Sequence, residues 1–406
     1  MLLLLCVLLL VAGFSAASMA ADPNFSKAER GRYLATAGDC VACHTAPDGK
    51  PFAGGRPIET PFGTIYSPNI TPDRETGIGA WSDADLYRAM HSGIAPDGSH
   101  LYPAFPYPYF SRLTREDVSA IHAYLDSLPP VRSQRPGLRL TWPLGHRFLM
   151  AGWNWLFFDK GGRPLGDNKD AVWKRGAYLA EGLEHCGACH TPKNMAGGDE
   201  NDHALEGGVI QGWFAPDITG NHQHGIGSWS QDDIVEYLKT GRNAHSGATG
   251  LMAEVVADST SHLKDDDLKA IATYLQSLPG HEPGASERAS VAAIKAGGAI
   301  FADSCSGCHK SDGKGVPHLF SPLAGSAAVQ STDTTTLTRI VLEGARTVAT
   351  PQQPTTAAMP SYGWKLSDQE IADVLTYVRN SWGNEASPVS ASDVEKVRET
   401  LKPPTQ

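Results

Sequence analysis

The sequence predicts an all-α chain built as three consecutive units with long, irregular loops. Three observations carry that expectation. The pattern Cys-x-x-Cys-His occurs three times, as Cys40-Val41-Ala42-Cys43-His44, Cys186-Gly187-Ala188-Cys189-His190 and Cys305-Ser306-Gly307-Cys308-His309. Each copy is followed downstream by a stretch with its apolar residues on one helical face. These are Val118, Ile121, Leu125 and Leu128, then Leu268, Ile271, Leu275 and Leu278, then Ile371, Val374 and Val378. Finally, Gly77-Ile78-Gly79-Ala80-Trp81-Ser82 returns as Gly225-Ile226-Gly227-Ser228-Trp229-Ser230. Repeats on the scale of roughly a hundred residues are domains rather than solenoid units.

The five-residue motif has a chemical reading. Two thiols three apart lie on one side of a helical turn, so both can reach one flat macrocycle. The next residue presents a ring nitrogen to the iron at its centre. This is the attachment pattern of haem c, with two thioether tethers and a proximal His. Zinc would need further Cys or His in paired spacing, and a redox dithiol would need a βαβ context. Neither is present. The sequence therefore predicts three covalently bound haem c groups. The tethers are Cys40, Cys43, Cys186, Cys189, Cys305 and Cys308, and the axial ligands are His44, His190 and His309.

Composition narrows the class. The 406 residues suggest several domains. The net charge of −10 argues against nucleic acid, which needs a basic face. Six of the seven Cys lie in the motifs and the seventh is Cys6, so no thiol is left over for a disulfide.

In chain order, residues 1–20 read as a secretory leader. An apolar run from Leu2 to Val11 precedes Ser18-Met19-Ala20, although no Lys or Arg stands before the run. The run is too short to span a membrane. Residues 22–132 form the first unit. Within it a helix over 27–37 enters the first motif, Ser82 starts a second helix, Thr114 starts a third, and Pro129-Pro130 stops it. Residues 133–168 are an aromatic-rich linker with Trp142, Trp153, Trp155, Phe157 and Phe158. Packing against the flanking units is the favoured reading there, and a docking or membrane-interface surface is the rival. Residues 169–284 repeat the first plan. Residues 288–384 are a shorter third version, whose Ser367-Asp368-Gln369-Glu370 is a capping box. Residues 385–406 read as a polar tail with a short helical stretch.

A low-spin haem needs a second axial ligand, and a Met thioether there raises the potential. Met252 in the second unit sits in a loop before the closing helix, where a distal ligand belongs, and Met359 in the third again stands before that helix. In the first unit the corresponding loop, Leu101-Tyr102-Pro103-Ala104-Phe105, has a Phe, which cannot ligate. Met90, His91 and His100 are the nearest candidates, with Met90 preferred. The alternative for each Met is a core residue filling a gap.

The motifs combine with Gly63-Thr64-Ile65-Tyr66-Ser67-Pro68-Asn69-Ile70-Thr71-Pro72-Asp73, Leu101-Tyr102-Pro103-Ala104, Met252-Ala253-Glu254-Val255-Val256 and Gly363-Trp364-Lys365-Leu366. Together they resemble the tri-haem cytochrome c subunit of membrane-bound periplasmic dehydrogenases, such as gluconate 2-dehydrogenase and quinoprotein alcohol dehydrogenase. The resemblance covers essentially the whole mature chain. It implies three class I cytochrome c domains in an exported, periplasmic electron-transfer subunit that is not an enzyme on its own. A separate catalytic subunit, with flavin, pyrroloquinoline quinone or molybdenum, would supply electrons. Ubiquinone or a terminal oxidase would accept them, at the periplasmic face of the inner membrane. Two rivals are a haem peroxidase using an open first-unit iron and a free periplasmic shuttle.

Overall fold

The computed structural model describes residues 23–162, 169–281, 284 and 286–401. The leader expected over residues 1–20 lies outside them. Three times the chain lays an N-terminal helix across a closing helix, with a motif helix between them in sequence.

In the first unit α1 (Pro23–Ala37) leads to the motif helix α2 (Cys40–Cys43). Then come α3 (Asp83–Ser92), α4 (Tyr107–Phe110) and α5 (Arg115–Asp126). Ser82 and Asp85 close a reciprocal capping box on α3, and Thr114 accepts from Asp117 N on α5. The long loop is not wholly irregular. Strands β1 (Pro57–Thr60) and β2 (Gly63–Tyr66) form a hairpin, and β3 (Arg139–Leu140) from the linker adds to its edge. The linker also forms α6 (Leu149–Phe157).

The second unit repeats this plan. Helix α7 (Ala171–Tyr178) widens into a π turn over Leu179–Leu183 before the motif helix α8 (Gly187–His190). A second hairpin follows, β4 (Gly208–Ile210) with β5 (Trp213–Ala215), and then α9 (Gln231–Thr240), α10 (Gly250–Asp258) and α11 (Asp265–Gln276). The third unit has α12 (Val291–Ser304), the motif helix α13 (Ser306–His309), α14 (Ala327–Gln330) and α15 (Thr335–Glu343). Its short strands β6 (Ala345–Arg346) and β7 (Ala358–Met359) pair before α16 (Asp368–Arg379), which the expected Ser367–Glu370 box caps. The architecture is mostly helical with small hairpins, rather than purely α.

One glycine position explains the repeated crossing. A Cβ on Gly31 would sit 1.8 Å from Ala120 O, on Gly176 1.9 Å from Ala270 O, and on Gly297 2.0 Å from Asp373 O. The Cβ atoms of Tyr124, Tyr274 and Tyr377 close the same contact at 2.9, 2.8 and 2.8 Å. Only a residue without a side chain lets the two backbones touch there.

The first two units share one apolar core. Leu34, Phe110, Ile121, Leu179, Leu183 and Leu268 belong to a single buried cluster. Their interface has a pseudo-twofold pattern. Arg30 pairs with Asp117 at 2.5 Å, and Tyr178 of the second unit donates to the same carboxylate at 2.5 Å. Conversely, Arg175 pairs with Asp267 at 2.7 Å, and Tyr33 of the first unit donates to it at 2.5 Å. The third unit has its own cores and meets the second through the pairing of Thr336 with Phe214 and the stacking of Arg339 on Trp213.

The last helix, α17 (Ala391–Thr400), forms the short helical stretch expected in the tail and docks on the third unit. Val394 is fully buried against Leu342, Leu366 and Ile371, and Arg398 donates to Asp368 at 2.7 Å. Val394, Val397 and Leu401 make a narrow apolar stripe on an otherwise polar helix, and that stripe docks on the third unit.

Candidate haem sites

Each motif folds as one helical turn that follows the N-terminal helix. Each motif His uses Nδ1 in the same way. His44 donates to Pro68 O at 2.8 Å, His190 to Pro216 O at 2.6 Å and His309 to Ser321 O at 3.1 Å. A carbonyl only accepts, so Nδ1 carries the proton and Nε2 keeps its lone pair. This outer partner also fixes the ring orientation, as metal-ligating imidazoles require. Burial lowers the pKa of all three rings, which holds them neutral. Burial pushes the Cys40 thiol up to about 12 and the Cys305 thiol up to about 11. The donor set therefore fits an iron porphyrin tethered through two sulfurs. The supporting carbonyls were not picked out from the sequence, although Pro68-Asn69-Ile70-Thr71 and Pro216-Asp217-Ile218-Thr219 repeat visibly.

The distal candidates fall into register through the backbone. Leu101 N donates to Gly93 O at 2.7 Å, and Ala248 N donates to Gly241 O at 2.7 Å. Four residues further on, Phe105 and Met252 are equivalent. Met252 lies on the first turn of α10 rather than in a loop, half-buried against the cluster of Ala248, Val256 and the third unit's Val348. Met359 is half-buried in β7, opposite Ala345. Phe105 packs against Phe110 with centroids 5.5 Å apart. Met90 is 4% exposed in the shared core, in register with Leu238 of the second unit. His91 stacks on Tyr87.

The first two motifs lie close together. Asp39, directly before Cys40, acts electrostatically on Cys43, on Cys189 and on Glu184. Glu184 stands two residues before Cys186, and its Oε2 accepts from Ser259 Oγ at 3.2 Å. Tyr109 of the first unit bonds Asp199 of the second at 2.6 Å and lies over Gly187 of the second motif. A cavity of about 480 Å³ opens beside the first motif, lined by Val41, Ala42, Arg56, Glu254 and Asp258.

Neither buried acid has full hydrogen bonding, since Asp39 Oδ1 and Glu184 Oε1 are enclosed without a partner. Burial, with Asp258 and Glu254 nearby, raises Asp39 to about 8 against the pull of Arg56. Burial and then Asp39 hold Glu184 well above the carboxylate range. The sign for stability follows from Asp39. Between 3.8 and about 8 the folded chain keeps a proton that the unfolded chain has released, so stability falls as pH rises through that window. Asn tolerates the left-handed backbone at φ 50°. Asp39→Asn is expected to flatten the slope and leave the variant more stable at about pH 8, by about 2 kcal/mol or more. Urea unfolding at about pH 5 and about pH 8 reads both, and equal slopes in the two proteins contradict the assignment.

Comparison with known proteins agrees with this geometry. The Cytochrome c family model matches residues 28–129, 174–279 and 294–382. The chain is 42% identical over 420 residues to the gluconate 2-dehydrogenase cytochrome c subunit of Pantoea cypripedii, covering 97% of this chain and 94% of that one. It is 41% identical over 419 residues to the cytochrome c subunit of the quinone alcohol dehydrogenase of Gluconobacter oxydans (strain 621H), covering 97% and 87%. It is 36% identical over 427 residues to the fructose dehydrogenase cytochrome subunit of Gluconobacter japonicus, covering 96% and 87%. These relatives are named as cytochrome subunits of dehydrogenases. The names lend nothing to the peroxidase or free-shuttle readings. With three matched stretches, the repeated motif and the repeated His–carbonyl support, the chain belongs to the cytochrome c family, whose members bind haem c covalently.

Proposed function

We propose that this chain is the tri-haem electron-transfer subunit of a periplasmic dehydrogenase complex. The observation that carries the reading is the threefold motif with one supporting geometry, in a chain whose relatives are dehydrogenase cytochrome subunits across nearly their full length. When bound, haem c supplies a one-electron iron couple. The chain's residues hold and tune it. The domains run over 22–132, 169–284 and 288–384. Cys40 and Cys43, Cys186 and Cys189, and Cys305 and Cys308 are the tethers. His44, His190 and His309 are the proximal ligands, with Met252 and Met359 distal in the second and third sites. Met90 is the first site's candidate. Its burial in register with Leu238 means that it must leave core packing to ligate.

The second unit is central. It shares a core with the first unit, and its Met252 cluster includes Val348 of the third. Electrons would therefore pass through it, from a catalytic subunit bearing flavin, pyrroloquinoline quinone or molybdenum toward ubiquinone or a terminal oxidase. Residues 1–20 would direct export, and the mature chain would work at the periplasmic face of the inner membrane as a peripheral protein. Affinity purification of the tagged chain from detergent-solubilised native membranes, with mass spectrometry, tests this. A stoichiometric dehydrogenase subunit is expected. Recovery of the chain alone from the soluble periplasm contradicts it.

A further inference from the structure

The linker between the first two units carries a surface that the haem sites do not use. Among the described residues, four of the ten large apolar side chains standing exposed fall within the linker. They are Trp142 at 83%, Phe148 at 70%, Trp155 at 85% and Leu156 at 62%. The arrangement is one-sided. Phe148, Ala151, Gly152, Trp155 and Leu156 recur at i, i+3, i+4, i+7 and i+8, which is one face of α6, and all five are exposed. The opposite face is the one that is held. Met150 is buried, Asn154 accepts from Tyr107 of the first unit at 2.5 Å, and Trp153 donates to Ala196 O of the second unit at 2.9 Å. Phe158 packs edge-on against Tyr107. A helix at a water-facing surface normally turns charge outward. This one turns its polar residue in and presents no charge outward.

Within residues 127–158 the charge leans one way, with the acids Asp97, beside Arg147, and Asp159, just past the end of α6, at its edges. Residues 127–158 hold Arg132, Arg135, Arg139 and Arg147 and no Asp or Glu, in a chain of net charge −10. Arg132 is paired with Glu75 at 2.6 Å. Arg135 and Arg139 are exposed, and Arg139 lies 6.0 Å over the Tyr66 ring. Arg147, directly before Phe148, is held by His100 O at 2.9 Å and lies over the Tyr102 ring. Met195, 99% exposed, extends the apolar surface on the loop that accepts from Trp153.

An outward aromatic face with an arginine collar is complementary to a bilayer surface. Trp rings favour the headgroup level, and guanidinium groups favour anionic phosphates. No helix among the described residues is long and apolar enough to cross a membrane. We propose that Trp142 and the outer face of α6 bind the bilayer surface through anionic phospholipid, seating the first two units on the membrane. This deepens the peripheral location proposed above and rests on it.

The test uses haem-loaded protein beginning at residue 21, so that the Leu2–Val11 run cannot contribute. It is mixed with vesicles of phosphatidylcholine and phosphatidylglycerol, or of phosphatidylcholine alone, and floated on a density gradient. The protein is expected to float with the mixed vesicles and less with phosphatidylcholine alone. Replacing Trp142, Phe148, Trp155 and Leu156 together by Ser is expected to lower the bound fraction about tenfold. Arg135→Glu with Arg139→Glu is expected to abolish the preference for anionic vesicles. Unchanged visible spectra and melting temperatures show that the variants are folded. Wild-type protein left at the bottom of the gradient overturns the proposal, as does a four-Ser variant that floats like the parent. If the wild type does not float and the variant loses its dehydrogenase partner or self-association, the patch is a protein interface and the proposal fails. Co-purification of a dehydrogenase with the wild type judges the electron-transfer reading separately from any of these results.

Discussion

Cys186→Ala with Cys189→Ala is expected to remove one haem and to destabilise two units at once. The second motif follows Leu179 and Leu183, which lie in the cluster that also holds Leu34, Phe110 and Ile121 of the first unit. Tyr109 reaches across to the second motif and Asp199, and Tyr178 bonds Asp117. A lesion at the second motif therefore has no boundary at which to stop. The melting temperature of the first two units is expected to fall together by about 10 °C or more. Cys305→Ala with Cys308→Ala should also remove one haem. Its damage should stay local, because Phe301, Val329, Val374 and Val378 form a separate cluster. Intact mass and differential scanning calorimetry compare the two variants. Equal and equally local losses would contradict the shared core as the coupling element.

Met359→Leu is the second large effect. Leu conserves volume at a half-buried site, so a Met that only fills space would lose less than about 1.5 kcal/mol and nothing else. A Met that ligates iron has no such substitute. The expected result is loss of the sulfur-to-iron absorption band and a drop of one midpoint potential on the order of 0.1 V or more, since the thioether favours the ferrous state. Met252→Leu should do the same to a different haem. Met90→Leu decides the first site. A drop in a third potential assigns it as a ligand, and a change in stability alone leaves it in the core beside Leu86 and Phe110.

Much of this was legible in the sequence, because the signals were local. Ser82, Thr114 and Ser367 start helices where their capping partners stand three residues on. The Cys-x-x-Cys-His spacing encodes its own chemistry, and the recurrence of Gly31 and Gly176 was visible. What that glycine does was not, since the backbone it meets is about ninety residues away in sequence. The reciprocal bonds of Tyr33 to Asp267 and Tyr178 to Asp117 were likewise hidden, because two units had to be docked before either pair existed. Pro68, Pro216 and Ser321 contribute backbone oxygen, which no side-chain pattern reports. The linker divided. Trp153, Phe157 and Phe158 pack as the favoured reading expected, whereas Trp142 and Trp155 do not. Composition fixed how apolar the segment is but not which side of its helix faced the protein. Met252 illustrates the same limit. Its register was readable, but its place on the first turn of α10 was not.

The most direct measurement is rapid mixing of the co-purified complex with the substrate of its dehydrogenase, followed at the haem absorption bands. The account predicts reduction of all three haems of this chain, in phases no slower than turnover, with reoxidation on adding a ubiquinone analogue. Haems that stay oxidised while the dehydrogenase turns over with another acceptor would contradict it.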